Sequence, residues 1–164
     1  MADQLVFVPV STGQAHTLAA QGHLPGPLDA FATTPALLAA LDYTADQAED
    51  AEYAALVLAS VHGLTRHQER LVLVAEVPAA QVEPYEDEMD NGGVRLPSLS
   101  RAAVQSFFTD EPAIDIADAV AAATGLTIDQ VWETEQVQAL LGGADLLWHS
   151  VEELDRFGKG GRHA

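Results

Sequence analysis

The chain has no cysteine, no long apolar run and few cations, and each lack removes a class of protein. Without cysteine there is no disulfide framework and no thiolate chemistry, which suits a reducing compartment. No uninterrupted apolar stretch approaches the ~18 residues that a membrane-spanning helix needs. Met1, Ala2, Asp3 and Gln4 carry no positive charge, and the apolar run LVFVPV behind them is short. No secretory leader is therefore expected, and the expected location is the cytoplasm. Only 7 residues are Lys or Arg, against 25 Asp and Glu, for a formal net charge of −18. A body so anionic repels phosphates and anionic lipid, so neither nucleic acid nor a membrane is an expected partner. The acidity has two readings. One is solubility for a chain rich in Ala, Leu and Val; the other is a face for a basic protein partner. The carboxylates are spread along the whole chain, which favours solubility.

Motifs of known chemistry are also missing. There is no G-x-G-x-x-G, no Walker sequence and no G-x-S-x-G, hence no dinucleotide fingerprint, phosphate loop or nucleophile elbow. His62 and His67 are about 140° apart round a helix, not the i, i+4 pair of a metal-binding helix. The acidic stretch EPYEDEMDNGG (83–93) lacks the D-x-[DN]-x-[DN]-G order and distal Glu of a calcium loop, and reads as a solvated loop. No metal and no cofactor is expected.

What the chain does have is 164 residues and 48 % hydrophobic content, enough for one domain with a real core. The stretch AEYAALVLASVHGL (51–64) is apolar round most of a helix, with a narrow polar strip of Glu52, Ser60 and Gly63. Such a helix is expected to be buried, with other elements on several faces. Thr44 with Gln47 has the capping-box spacing that would open it. Ahead of it, LVFVPV (5–10) reads as a strand, and Ser11 or Thr12 caps a short helix that Gly22 ends and Pro25 and Pro27 block. AFATT (30–34) reads as a short strand, and Thr34-Pro35 as a helix start. Behind it, RLVLVAEV (70–77) reads as a central strand, VRLP (94–97) as an edge strand and AVQSFFT (103–109) as a further strand. Residues 114–124 read as a helix, and Thr127 with Gln130 opens another that runs to Leu141. DLLWHSVEEL (145–154) fits a strand or a helix. The expected fold is α+β, a single domain over 1–155, with a mixed sheet of about five or six strands packed on the 51–64 helix. Residues 156–164 are expected to form a flexible tail, with three of the seven basic residues.

Two resemblances add to this reading. FVPV, FATTPALLAAL (31–41), EYAAL (52–56), VLVAEVP (72–78) and DLLWHSVEEL resemble a domain of unknown function from high-GC Gram-positive bacteria. More loosely, residues 5–110 resemble ADP-ribosyltransferase-like domains. The segments that carry this are QGHLPGP (21–27) as a turn after the first helix, FATTPALLAA, LVLVAEVP and GGVRLPSLS (92–100). That resemblance implies an NAD site with a His or Arg on the first strand and a Glu near the later short strand. Here Val8, Pro9, Val10 and Ser11 stand at the first place and Gly92-Gly93 at the second, with Glu88 or Asp90 as the nearest substitute. Loss of the carboxylate undermines a reaction through an oxocarbenium-like transition state. Ser11, His16 and Thr34 are the candidate ligand-binding residues, and no catalytic residue is assigned. The expected function is a non-catalytic binding or protein-interaction module. The alternatives are an ADP-ribosyltransferase-like enzyme with a displaced carboxylate, and an acidic inhibitor or chaperone of a basic nucleic-acid-binding protein.

Overall fold

The computed structural model describes residues 3–155. Its strands are β1 (Asp3–Pro9), β2 (His23–Phe31), β3 (Val72–Pro78), β4 (Glu83–Pro84), β5 (Gly93–Ser100), β6 (Val104–Thr109) and β7 (Leu147–Ser150). The helices are α1 (Thr12–Gln21), α2 (Pro35–Leu41), α3 (Ala48–His67), α4 (Ala117–Ala123), α5 (Ile128–Trp132) and α6 (Glu135–Gly143). The strands form one sheet in the order β4-β5-β2-β1-β3-β6-β7. Every neighbouring pair is antiparallel. Both edges are short strands, which limits unpaired backbone.

Side chains alternate across the sheet, and each face has its own core. Val6, Val8, Leu73, Ala75 and Leu96 face α1 and the turn at 151–154, with Ala15, Leu18 and Leu154 packed on them. Phe7, Phe31, Val72 and Val74 face α3, flanked by α2 and α4–α6. α3 lies close to the sheet because one stripe of it is small. Ala51, Ala55, Ala59 and Gly63 follow at i+4 intervals, and all are buried. At Gly63 an added Cβ would sit 2.7 Å from the Glu69 carbonyl oxygen and 3.6 Å from Pro9 Cβ, so only glycine allows this approach.

The α+β architecture on a buried central helix agrees with the sequence reading, and several local readings change. Among the described residues the sheet has seven strands, and no pair is parallel. The 145–154 segment is β7 followed by a short 3-10 turn over Val151–Glu153. HLPGP is not a turn but the first half of β2. β2 aligns with β1 only at Phe7↔Phe31, while its pairing with β5 runs from His23 to Phe31. Its first half is thus an edge, where proline is tolerated, and a register shift between Pro25 and Leu28 absorbs the irregularity. β5 is flanked on both sides, by β2 and β4, so the edge is β4 rather than 94–97. The helix read from Thr127 to Leu141 breaks after Trp132, because Thr134 caps a new helix by accepting from the Val137 amide. The expected tail, 156–164, lies outside the described residues.

Candidate functional site

Polar chemistry gathers where the C-terminal half of α3 meets β2, on the side of β2 that pairs with β5. Leu28 and Ala30 face the opposite core, so alternation turns Asp29 toward α3. Asp29 is the cross-strand partner of Arg95, whose Nε donates to Asp29 Oδ1 at 2.9 Å. From α3, His62 is 3 % exposed, and its Nε2 lies 3.1 Å from Asp29 Oδ2. A carboxylate only accepts, so Nε2 carries a proton, and in the neutral ring Nδ1 is left as an acceptor. Burial pushes the Asp29 carboxyl up, but hydrogen bonds from His62 and Arg95 outweigh it and hold the pKa at about 2. Arg95 in turn lies over the Tyr85 ring, 4.1 Å from its centroid. Its pKa rises through the hydrogen bond to Asp29. Burial and the Asp29 charge push the Tyr85 hydroxyl up. His67 is lowered by burial and then by His62. The His62 ring meets Phe31 edge-on at 5.3 Å, which locks its orientation.

His62 Nδ1 has no hydrogen-bond partner among the described residues. His62 lines a cleft of about 260 Å³, together with Thr65, Arg66, Glu88 and Thr127. Glu88 sits on the 3-10 turn at 86–91, tight against the start of β5. An added Cβ at Gly93 would lie 2.6 Å from Glu88 Cβ. Asn91 Nδ2 donates to Glu88 Oε1 at 2.8 Å and to Asp129 Oδ1 at 3.3 Å.

On the far side of that turn, a groove of about 750 Å³ runs between α2, α3 and α5. Leu37, Leu41, Val57, Leu58 and Ile128 make an apolar floor. Tyr53 and Trp132 stand in it, 60 % and 39 % exposed. Asp90, Asp129 and Glu133 line it as well, all exposed. A second cavity shares Tyr53, Val57 and Trp132 and continues to Arg70 and Phe108. Arg70 is buried and committed: it pairs with Asp110, and its Nη2 donates to the Ala144 carbonyl at 3.1 Å. It offers no charge to a ligand.

The three residues singled out from the sequence do not converge. Ser11 caps α1, accepting from the Gln14 amide at 3.1 Å. Thr34 caps α2, accepting from the Leu37 amide at 3.2 Å. Ser11 follows the end of β1 and Thr34 the end of β2, and these strands run in opposite directions, so the two caps lie at opposite ends of the sheet. His16 is on α1, across the sheet from α3, and its Nε2 is buried without a partner. Val8 and Val10 are wholly buried. Sequence reasoning missed Asp29, Tyr85 and Arg95, and took the Glu88 loop as solvated although Glu88 is buried. One signal was available. Residues 3–155 hold no lysine and four arginines (Arg66, Arg70, Arg95 and Arg101), so any cation there is a marked choice. Among the described residues, no group of three His, Asp or Glu is placed to hold a metal.

No curated protein and no solved structure matches the chain. Residues 5–157 match the family of unknown function DUF6912, and over that span, nearly the whole sequence, the chain belongs to this family.

Proposed function

We propose that this domain is a protein-interaction module whose α3 groove holds an apolar anchor from a cationic segment of another protein. The observation that carries this is the groove itself, with an apolar floor, two exposed aromatics, and Asp90, Asp129 and Glu133 as the charged residues that line it. Exposed Trp and Tyr over a desolvated floor are the residue types that concentrate binding energy at interfaces. Asp90, Asp129 and Glu133, within a chain of net charge −18, repel anionic partners and speed encounter with cationic ones. Wider negative charge thus supplies attraction, and the floor supplies selection for an apolar side chain.

The test uses defined peptides. In a Trp148→Phe background, Trp132 is the only tryptophan and reports on the groove. A cationic helix-forming peptide with Leu at i, i+3, i+4 and i+7 is expected to shift Trp132 fluorescence saturably, and added salt is expected to weaken binding. Polylysine of equal charge is expected to leave Trp132 unmoved. Equal affinity for both peptides, or no Trp132 response to either, overturns the proposal.

A further inference from the structure

We propose that the cleft beside Asp29 and His62 binds a small zwitterion, a free amino acid with a short side chain, through its ammonium and carboxylate groups. Arg66 takes the carboxylate; Glu88 and His62 Nδ1 take the ammonium. The groove plays no part in this inference.

The donor and acceptor inventory selects the ligand. His62 is nine-tenths buried and lines the cleft, and its Nδ1 has no hydrogen-bond partner among the described residues. In the neutral ring the Asp29 carboxylate holds the proton on Nε2, and Nδ1 then presents a lone pair that takes an N–H or O–H donor. A carboxylate or phosphate at Nδ1 would meet that lone pair head-on. Glu88 gives one oxygen to Asn91, and the other has no partner among the described residues. Arg66 is exposed and has no ion pair among the described residues, unlike Arg70, Arg95 and Arg101. Thus a carboxylate and a guanidinium line one cleft without bridging each other, and a dipolar molecule between them satisfies both. The Thr65 hydroxyl is spent on the His62 carbonyl at 2.8 Å, and the Thr127 hydroxyl accepts from the Gln130 amide.

Charge excludes the simpler ligands. Asp29 is neutralised by Arg95, so the groups facing the ligand are one negative Glu88 and one positive Arg66. An inorganic anion gains Arg66 and is repelled by Glu88; a simple cation meets the reverse. A metal ion would find two ligands, His62 and Glu88, fewer than a stable site uses. Size points the same way, because about 260 Å³ is below the roughly 300–1,000 Å³ of sites for drug-sized molecules.

The experiment titrates ¹⁵N-labelled full-length protein with glycine and L-alanine, and separately with acetate, methylammonium and inorganic phosphate. The His62 ring nitrogens are followed by NMR. Glycine or L-alanine is expected to move Nδ1 saturably, and acetate and methylammonium to bind at least about tenfold more weakly, since each lacks one of the two charge contacts. Arg66→Gln is at the surface and Glu88→Gln keeps the acceptor for Asn91, so both variants should melt as wild type does. Each is expected to weaken the amino acid at least about tenfold. Phosphate binding more tightly than glycine would make this an anion site. No response to either amino acid at millimolar concentration, or unchanged affinity in both variants, equally overturns the proposal.

Discussion

The groove and the cleft lie on either side of one 3-10 turn and are both built on α3, yet they are made in opposite ways. The N-terminal half of α3 shows Tyr53, Ala54 and Val57 to the groove, over a floor of apolar side chains. The C-terminal half shows His62, Thr65 and Arg66 to the cleft. There Asp29 is held from a neighbouring strand and a helix, His62 is held by Asp29 and Phe31, and Arg95 is held by Asp29 and Tyr85. The groove offers area and charge, which suit a partner that brings its own shape. The cleft offers fixed atoms, which suit a ligand too small to adapt. This comparison predicts that removing Asp29, which holds both His62 and Arg95, costs stability, whereas removing an exposed rim residue of the groove costs only binding.

The largest difference should come from Asp29→Ala set against Asp129→Ala. Removing Asp29 leaves the buried His62 Nε2 donor unmet and frees Arg95, and should cost about 2–3 kcal/mol. Asp129 is exposed on the groove rim, and its loss should cost under about 0.5 kcal/mol. Urea melts of the two variants give both numbers. Similar losses would mean the cleft is no more built than the groove.

Next in size is Gly93→Ala. The new methyl would meet Glu88 at 2.6 Å, with the Glu88 carbonyl oxygen 2.9 Å away, and both belong to a packed turn rather than a free side-chain end. The expected cost is about 2 kcal/mol, within the usual range for overpacking. Gly142→Ala, in open space near the C-terminal end of α6, is the control and should be near neutral. A harmless Gly93→Ala would show that Glu88 is not held against β5.

Acid titration separates the regions by another route. The Asp29 pKa is about 2 in the folded protein, against 3.8 as the ordinary value. A lowered carboxyl pKa stabilises the fold fully above about 4, and that stability is lost as pH falls toward 2. With allowance for partial exposure the amount is about 1–2 kcal/mol. Melts from pH 5 to pH 2 should show it in wild type, and Asp29→Asn should lack that component. Asp129→Asn should keep it.

The two regions also differ in how far the sequence announces them. α3 was legible because its burial is written locally, in consecutive apolar and small residues. The caps at Ser11, Thr34 and Thr127 were legible for the same reason, each needing only a partner three residues on. The cleft was not. His62 and Asp29 are 33 positions apart and Arg95 and Asp29 are 66 apart, so only the β2–β5 register brings them together. β2 itself was half hidden by two prolines, which read as loop until the neighbouring strand is known to stop short. Glu88 reads as one more solvated carboxylate because nothing local distinguishes it from Glu86 or Asp87. Its burial depends on Gly93, which only the folded turn explains.

The smallest expected effect tests whether the two regions are independent. Asn91 links them, since it borders the groove and its amide nitrogen donates both to Glu88 in the cleft and to Asp129 on the groove rim. Asn91→Ala should cost about 1 kcal/mol of stability, the usual net value of such bonds, because the turn keeps its backbone contacts. The more telling readout is communication. In wild type, Asp129→Asn weakens an acceptor of Asn91, and the amide is then free to settle on Glu88. That adjustment should move the ¹⁵N resonance of His62 Nδ1 slightly across the cleft. In an Asn91→Ala background the same Asp129→Asn change should leave His62 unmoved, since no side chain then joins the rim to Glu88. A His62 shift that persists without Asn91 would mean the regions are coupled through α3 itself, and the turn would no longer count as the boundary between them.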